Sequence, residues 1–127
     1  MELLLDTHVC LWWAADPSAV SASAQRAIAD PANAVWVSAA SAWELSIKVR
    51  AGKLAGDVRR LFGELTDHGV GVLGIGIDDG VSAGALEWAH RDPFDRMLAA
   101  QTLRGGYTLV TRDGQLRALL GALALEA

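Results

Sequence analysis

The 127 residues suffice for one domain with a buried core and are too few for two domains of ordinary size, so we expect a single domain over residues 1–127. Hydrophobic residues make up 52% of the chain and charged residues 20%, with a formal net charge of -4. This balance excludes a protein that binds nucleic acid by general electrostatic attraction. The apolar surplus favours a surface covered by an oligomer or a partner protein.

Neither a membrane span nor a disulfide is expected. No apolar run approaches the about 20 residues that a membrane-spanning helix requires, and Cys10 is the only cysteine. The opening MELLLD is too short and too acidic for the apolar segment of a signal peptide. We therefore expect a cytoplasmic protein that makes no membrane contact.

The predicted elements alternate between strands and helices. The first, ELLL, is a continuous apolar run, typical of a strand buried on both faces of a parallel sheet. Helical patterns follow in HVCLWWAA and SASAQRAIAD, and the strand AVWV leads into a helix in SAASAWELSIKVRAGK, where Leu45 and Val49 form one pair at helical spacing and Trp43 and Ile47 form another. Then come the helix DVRRLFGELTDHG, the strand VGVLGI, the helices DDGVSAGALEWA and PFDRMLAAQTLRGG, the strand YTLV, and a helical turn with a last strand in RDGQLRALLGALALEA. This alternation predicts an α/β fold around a mostly parallel sheet.

Acidic residues stand near the ends of these strands. Asp6 follows the first strand, Glu44 lies on the helix after the second, and Asp113 follows YTLV. Asp95 lies in the first turn of the helix that precedes YTLV. Ligands of open parallel sheets bind outside the carboxyl ends of the strands. We therefore expect the four carboxylates to lie within reach of one another.

Four carboxylates in one pocket repel each other unless a cation lies between them. Oxygen ligands without cysteine or a histidine pair favour a hard ion, Mg²⁺ or Mn²⁺, over zinc. Such an ion reverses the local charge, which allows an acidic protein to hold a phosphodiester and to activate water against it. The pattern therefore indicates metal-dependent phosphodiester chemistry.

Each acid also fits a structural role at a helix start. Glu44 lies three residues after Ser41, the spacing of a capping box. Asp92 before Pro93 and Asp113 before Gly114 fit N-caps, and Asp95 in a first helical turn would complement the helix dipole. Asp6 could cap the following helix, but a strand end itself needs no carboxylate. Capping explains these positions one at a time, whereas a metal site explains Asp6, Glu44, Asp95 and Asp113 together.

Four segments together resemble the PIN-domain family, and within it the VapC-like toxins of bacterial type II toxin-antitoxin pairs. They are LLLDTHVCLWW, SAWELSIK, HRDPFDRMLAAQ and LVTRD, and the match covers nearly the whole chain. The resemblance implies a three-layer α/β/α sandwich and a Mg²⁺-dependent endoribonuclease, with Mn²⁺ as a substitute ion. The acidic positions of the family fall here on Asp6, Glu44, Asp95 and Asp113.

The resemblance also implies further residues and partners. The polar residue that precedes the last acid by two positions falls on Thr111, where it would orient an acid or a water molecule. A cognate VapB-like antitoxin would cover the site, RNA would be the substrate, and a homodimer is common in the family. DNA would be contacted only indirectly, through the antitoxin.

The segment HRDPFDR carries further candidates. Asp92 would cap the helix and add an auxiliary acid, while Arg91, Arg96 and, farther on, Arg112 are candidate contacts for RNA phosphates. For His90 a hydrogen-bonded structural role is favoured over RNA contact and over proton transfer, and for His8 structural and substrate-contact roles remain open.

Three other functions remain to be weighed. A phosphoacceptor signalling domain needs a lysine late in the chain, and the only lysines are Lys48 and Lys53. A catalytically silent metal-binding interaction module is disfavoured by the intact acid set. A PIN-type ribonuclease of RNA processing without a toxin role shares every residue, and only the neighbouring gene would separate it from a toxin.

Overall fold

A five-stranded parallel sheet forms the centre of the computed structural model, which describes residues 1–127. Its strands are β1 (Glu2–Leu5), β2 (Ala34–Ser38), β3 (Gly71–Leu73), β4 (Thr108–Thr111) and β5 (Ala124–Glu126), in the spatial order β3-β2-β1-β4-β5. All four strand pairings are parallel. The continuous apolar run of β1 is therefore the central strand, as its sequence predicts, and the sheet is wholly rather than mostly parallel.

Seven α-helices connect and flank the strands. They are α1 (Thr7–Ala15), α2 (Ala22–Ala29), α3 (Ala39–Arg50), α4 (Val58–Asp67), α5 (Ile77–Ala85), α6 (Pro93–Gly105) and α7 (Gly114–Leu120). Short 3-10 turns cover Pro17–Ala19 and Gly121–Leu123. None of these helices is long and apolar enough to cross a membrane.

Two separate cores lie on the two faces of the sheet. Leu3 and Leu5 of β1 pack with Val9 of α1, Ala24 of α2 and Leu65 of α4 on one face. On the other face the packed side chains come from β1, β4, α6 and α7, namely Leu4, Leu98, Ala99, Leu109, Leu116 and Leu120. Successive side chains of a strand point to opposite faces, so the LLL run feeds both cores. The predicted three-layer α/β/α sandwich is confirmed.

The chain departs from the predicted elements on one side of the molecule. The helix predicted for DDGVSAGALEWA ends at Ala85, and Leu86 is already extended with ψ 125°. Trp43 and Ile47, which lie four residues apart on one face of α3, are 60% and 45% exposed, whereas Leu45 on the opposite face is fully buried. Periodicity identified the helix, but the face that carries Trp43 and Ile47 stays largely exposed.

The strand order positions the functional site. The chain moves outward from β1 through β2 to β3, and then returns to the other side of β1 for β4 and β5. Such a reversal opens a crevice at the carboxyl ends of the two strands that flank it, here β1 and β4. Asp6 directly follows the end of β1, and Asp113 comes two positions after the end of β4.

Candidate active site

A polar cavity of about 630 Å³ opens at the carboxyl edge of the sheet. All four predicted acids line it. The complete lining is Asp6, His8, Trp12, Glu44, Lys48, His90, Asp92, Asp95, Arg112 and Asp113. The parallel topology thus brings together residues that are up to 107 positions apart in the sequence, and Trp12 is the only large apolar side chain among them.

Asp6 is the most deeply buried of the acids, with 6% of its surface exposed. It is the N-cap of α1, and its Oδ1 accepts a hydrogen bond of 2.6 Å from the backbone N–H of Thr7. Burial raises the pKa of the Asp6 carboxyl, although the hydrogen bonds from Thr111 and Thr7 oppose that rise. A buried carboxylate of this kind is stabilised by any cation that reaches it.

Thr111, the last residue of β4, is fully buried and holds Asp6 from the opposite side. Its hydroxyl donates a hydrogen bond of 2.6 Å to Asp6 Oδ2 and accepts one of 3.0 Å from the backbone N–H of Asp113. The single hydroxyl therefore connects two of the four acids. These two hydrogen bonds fit the predicted role of Thr111, which is to orient an acid.

Asp95 points into the cavity from the first turn of α6. His90 Nε2 lies 2.7 Å from Asp95 Oδ2, whereas Oδ1 makes no hydrogen bond to the protein. Burial is the main cause that raises the Asp95 pKa to about 6, and the negative charges of Asp92, Asp6 and Asp113 raise it further against the opposing His90 hydrogen bond. The carboxylates are therefore close enough to disfavour each other's ionised forms.

Asp92 and Asp113 are helix caps, as their sequence contexts predict. Asp92 Oδ1 accepts from the backbone N–H groups of Phe94 and Asp95, and Pro93 occupies the first turn of α6. Asp113 Oδ1 accepts from the N–H groups of Gln115 and Leu116 at the start of α7. In both residues the second carboxylate oxygen makes no protein hydrogen bond, so capping and a role in the cavity are compatible.

Glu44 is not part of a capping box, because Ser38 rather than Ser41 is the N-cap of α3. Ser41 is an internal residue of α3, and its hydroxyl lies 2.9 Å from Thr7 Oγ1. The Glu44 side chain instead forms an ion pair of 3.4 Å with Lys48 one helical turn later. Glu44 therefore has no backbone partner that would explain its position in the cavity.

Of the three candidate arginines, only Arg112 lines the cavity. Its guanidinium lies over the Trp12 ring, 4.3 Å from the ring centroid, and donates to the backbone carbonyls of Ala127 and Ala19. Arg91 is exposed and does not line the cavity. The predicted phosphate contact of Arg96 needs correction, since its guanidinium donates only to backbone carbonyls, from residue 83 to residue 90.

The donor set fits a hard divalent cation in its chemistry. Four carboxylates face one cavity, the free oxygens of Asp95 and Asp113 lack protein hydrogen-bond donors, and mutual repulsion disfavours an uncompensated set. As placed in this structure, no three acidic, histidine or cysteine side chains converge closely enough to coordinate one metal ion. Each acid is held by a protein partner of its own instead.

The family comparison matches residues 3–120 to the PIN domain. The chain belongs to the PIN-domain family. The resemblance seen in the four sequence segments is thus confirmed, and the matched region includes every predicted site residue of this PIN domain.

A curated relative and a solved structure agree with this assignment. The PIN domain is 35% identical over 120 residues to ribonuclease VapC22 of Mycobacterium tuberculosis. The alignment covers 91% of this chain and 89% of that relative. It also superimposes, with a TM-score of 0.72, on a chain from the crystal structure of VapBC2 from Rickettsia felis bound to a DNA fragment from their promoter. That match covers 99% of this chain and 98% of the other at 14% identity, and at this identity it shows the likeness of fold alone.

Sequence reasoning missed two residues that line the cavity, Lys48 and Trp12. Both lie four positions after another lining residue on the same helix, Lys48 after Glu44 and Trp12 after His8. Residues four apart share a helix face. Applying that rule outward from Glu44, and from His8 as an open candidate, would have found both.

Proposed function

We propose that this PIN domain, over residues 1–127, is a metal-dependent endoribonuclease that hydrolyses RNA phosphodiesters, and that it is the toxin of a VapBC-like toxin-antitoxin pair. One observation carries the proposal: carboxylates from four separate segments face one cavity at the reversal point of the sheet. The 35% identity to a curated ribonuclease over most of both chains supports the reaction type.

Mg²⁺ is the proposed cofactor, with Mn²⁺ as a substitute. Asp6, Asp95 and Asp113 would hold the cation, and Glu44 would bind a second cation or position the attacking water. A bound cation would supply polarisation of the phosphodiester and a lower pKa for water at this site. The raised pKa of Asp95 supports this assignment, because a group that is costly to ionise alone gains most from a cation.

Other residues of the chain would position the acids and contact the substrate. Thr111 holds the Asp6 carboxylate in place, and Asp92 adds a further negative group at the rim. Arg112 is the best-placed contact for a substrate phosphate, since its guanidinium borders the cavity and pairs well with phosphate oxygens. Arg91 is a secondary candidate for phosphate contact, whereas Arg96 contacts no RNA in this proposal because its guanidinium bonds backbone carbonyls.

In the proposed reaction the water oxygen attacks phosphorus in line with the leaving oxygen, and the phosphorus–oxygen bond to that leaving group breaks. The proton of the attacking water passes to solvent or to the Glu44 carboxylate, and the leaving oxygen gains a proton from solvent. The wide, open cavity fits unpaired RNA, whose backbone can bend to enter it.

The proposed protein partners are a VapB-like antitoxin and a second copy of the chain. Large apolar side chains remain uncovered on α3 and α5, with Ile77 87% exposed and Val81 65% exposed, and such patches favour protein contacts. DNA contact is proposed only through the antitoxin. This surface supports protein association without distinguishing between the two partners.

The test is cleavage of a mixed panel of RNAs by antitoxin-free protein in Mg²⁺, in Mn²⁺ and in a chelator. Asp95→Asn is the active-site variant, and Asp67→Asn, at the exposed end of α4, is the matched control. The proposal expects metal-dependent cutting by wild type and control and none by Asp95→Asn. Equal cutting by all three proteins would indicate a contaminant and would overturn the evidence for this site.

A second experiment addresses the toxin role. Induced expression should arrest growth, and co-expression of a small protein encoded beside this gene should restore growth. RNA cleavage without growth arrest would instead favour a ribonuclease of RNA processing.

A further inference from the structure

The Arg96 guanidinium is saturated with hydrogen bonds to one short stretch of backbone. An arginine side chain has five N–H donors. Here each of the five has a carbonyl acceptor, at 2.8 to 3.3 Å, and the acceptors are Ala83, Gly84, Leu86, Trp88 and His90. No donor is left for a substrate phosphate, so the role of Arg96 must lie in this segment.

The acceptors have a common origin. Ala83 and Gly84 belong to the last turn of α5, where backbone carbonyls lack partners within the helix. A positive charge at that end also interacts favourably with the helix dipole. The remaining three carbonyls come from the non-helical segment that links α5 to α6. Arg96 therefore ends α5 and shapes the linker that follows it.

That linker carries His90, the hydrogen-bond partner of Asp95. The carbonyl of His90 accepts from Arg96 Nη1 at 3.0 Å, while its ring Nε2 lies 2.7 Å from Asp95 Oδ2. Asp95 and Arg96 are consecutive residues of α6. Two neighbouring side chains of one helix thus hold the backbone and the ring of the same histidine.

We propose that Arg96 is a positioning residue, which fixes the linker between α5 and α6 so that His90 stays bonded to Asp95 and orients its free oxygen toward the cavity. The link to a cation rests on the proposed function, whereas the link from Arg96 to His90 does not. Lysine cannot replace Arg96, because a single ammonium group lacks the planar set of five donors that reaches five separate carbonyls.

The expected effect follows from the behaviour of residues that orient metal ligands. Loss of such a partner typically lowers metal affinity by about 10- to 100-fold. Arg96→Lys should therefore weaken Mn²⁺ binding, measured by titration calorimetry on the full chain without RNA, by about tenfold. Arg117→Lys, at an exposed pair with Glu126 on α7 and β5, is the control and should bind like wild type.

A double-mutant cycle separates positioning from a general loss of structure. If Arg96 acts through His90, Arg96→Lys should weaken Mn²⁺ binding in wild type and should add nothing in a His90→Ala background. Additive losses would overturn the proposal, as would wild-type affinity in Arg96→Lys. Arg96→Gln, which keeps two N–H donors, is the second variant should the lysine variant fold poorly, and the same non-additivity is expected.

If the wild-type protein binds no Mn²⁺, the proposed function is refuted, but the link from Arg96 to His90 is not. A spectroscopic readout then decides that link by itself. Long-range ¹H–¹⁵N spectra at pH 7.5 report whether the His90 ring keeps the single tautomer expected with Nε2–H on Asp95. Arg96→Lys should produce a tautomer mixture, and hydrogen exchange should quicken about tenfold at the Trp88 amide, which bonds the Leu86 carbonyl. An unchanged His90 spectrum would overturn the proposal.

Discussion

Thr111 Oγ1 donates a hydrogen bond of 2.6 Å to Asp6 Oδ2 across 105 positions of sequence. The bond joins the carboxyl end of β4 to the residue that follows β1, the two strands that flank the reversal of the sheet. Both residues are buried, with Thr111 fully inaccessible. The hydroxyl is therefore the only side-chain donor to a carboxylate that water scarcely reaches.

Removing this hydroxyl should destabilise the protein. Thr111→Val leaves Asp6 Oδ2 buried without its donor, and such a loss costs about 1–3 kcal/mol in the free energy of unfolding. Thr111→Ser keeps a hydroxyl and should lose less than half as much. Urea unfolding at pH 7.5 measures both variants, and a valine variant as stable as wild type would contradict the role assigned to Thr111.

Asp95 should make the metal-free protein less stable as pH rises. Its folded pKa of about 6 lies above the ordinary value of 3.8, so the folded state binds the proton more tightly than the unfolded state. The stability contributed by the protonated carboxyl is present below about pH 4 and is lost as pH rises to about 6.

Asp95→Asn should consequently raise the melting temperature of metal-free protein at pH 7.5, by roughly 2–6 °C. Near pH 4 the difference from wild type should be much smaller, because both side chains are then neutral. Calorimetric scans in chelator at the two pH values give the comparison. A variant that melts below wild type at pH 7.5 would show that the ionised Asp95 carboxylate does not destabilise the folded protein.

Lys48 should compete with a divalent cation for Glu44. Its ammonium group pairs with Glu44 at 3.4 Å and lines the same cavity, so a bound cation would face a like charge there. Lys48→Gln should tighten Mn²⁺ binding several-fold, and it should change the free energy of unfolding by less than about 1 kcal/mol because the pair is partly exposed. Weaker Mn²⁺ binding in this variant would contradict a cation site beside Glu44.

Arg112 and Arg91 should differ in their effect on RNA cleavage. Arg112 borders the cavity, whereas Arg91 is exposed outside it. Arg112→Gln should raise KM for a cleaved RNA about tenfold or more, and Arg91→Gln should raise it less. Melting curves must accompany the kinetics, since Arg112 also bonds the carbonyls of Ala127 and Ala19. Equal effects of the two substitutions would place the phosphate contact elsewhere.

Much of the fold could be predicted because its determinants are local. The run LLL identified the central strand, and Asp92 before Pro93 identified the start of α6. The gathering of the four acids followed from topology, since parallel strands share one carboxyl edge. These inferences needed no side-chain detail.

Other features depend on contacts that spacing does not encode. The role of Arg96 depends on where the linker carbonyls lie, and that position is set by tertiary packing rather than by residue type. Phe94 is a large apolar side chain, yet it is only half-buried and meets the exposed Trp43 edge to face, with ring centroids 5.0 Å apart. Apolar character predicts burial only when another element covers the side chain.

The most direct test of the central claim is Mn²⁺ binding by titration calorimetry to wild type, Asp95→Asn, Asp113→Asn and the control Asp67→Asn, in the absence of RNA. One cation site built from both acids predicts that either active-site substitution weakens binding at least tenfold while Asp67→Asn binds like wild type. Undiminished binding in both Asp95→Asn and Asp113→Asn would contradict the claim that these carboxylates hold the metal.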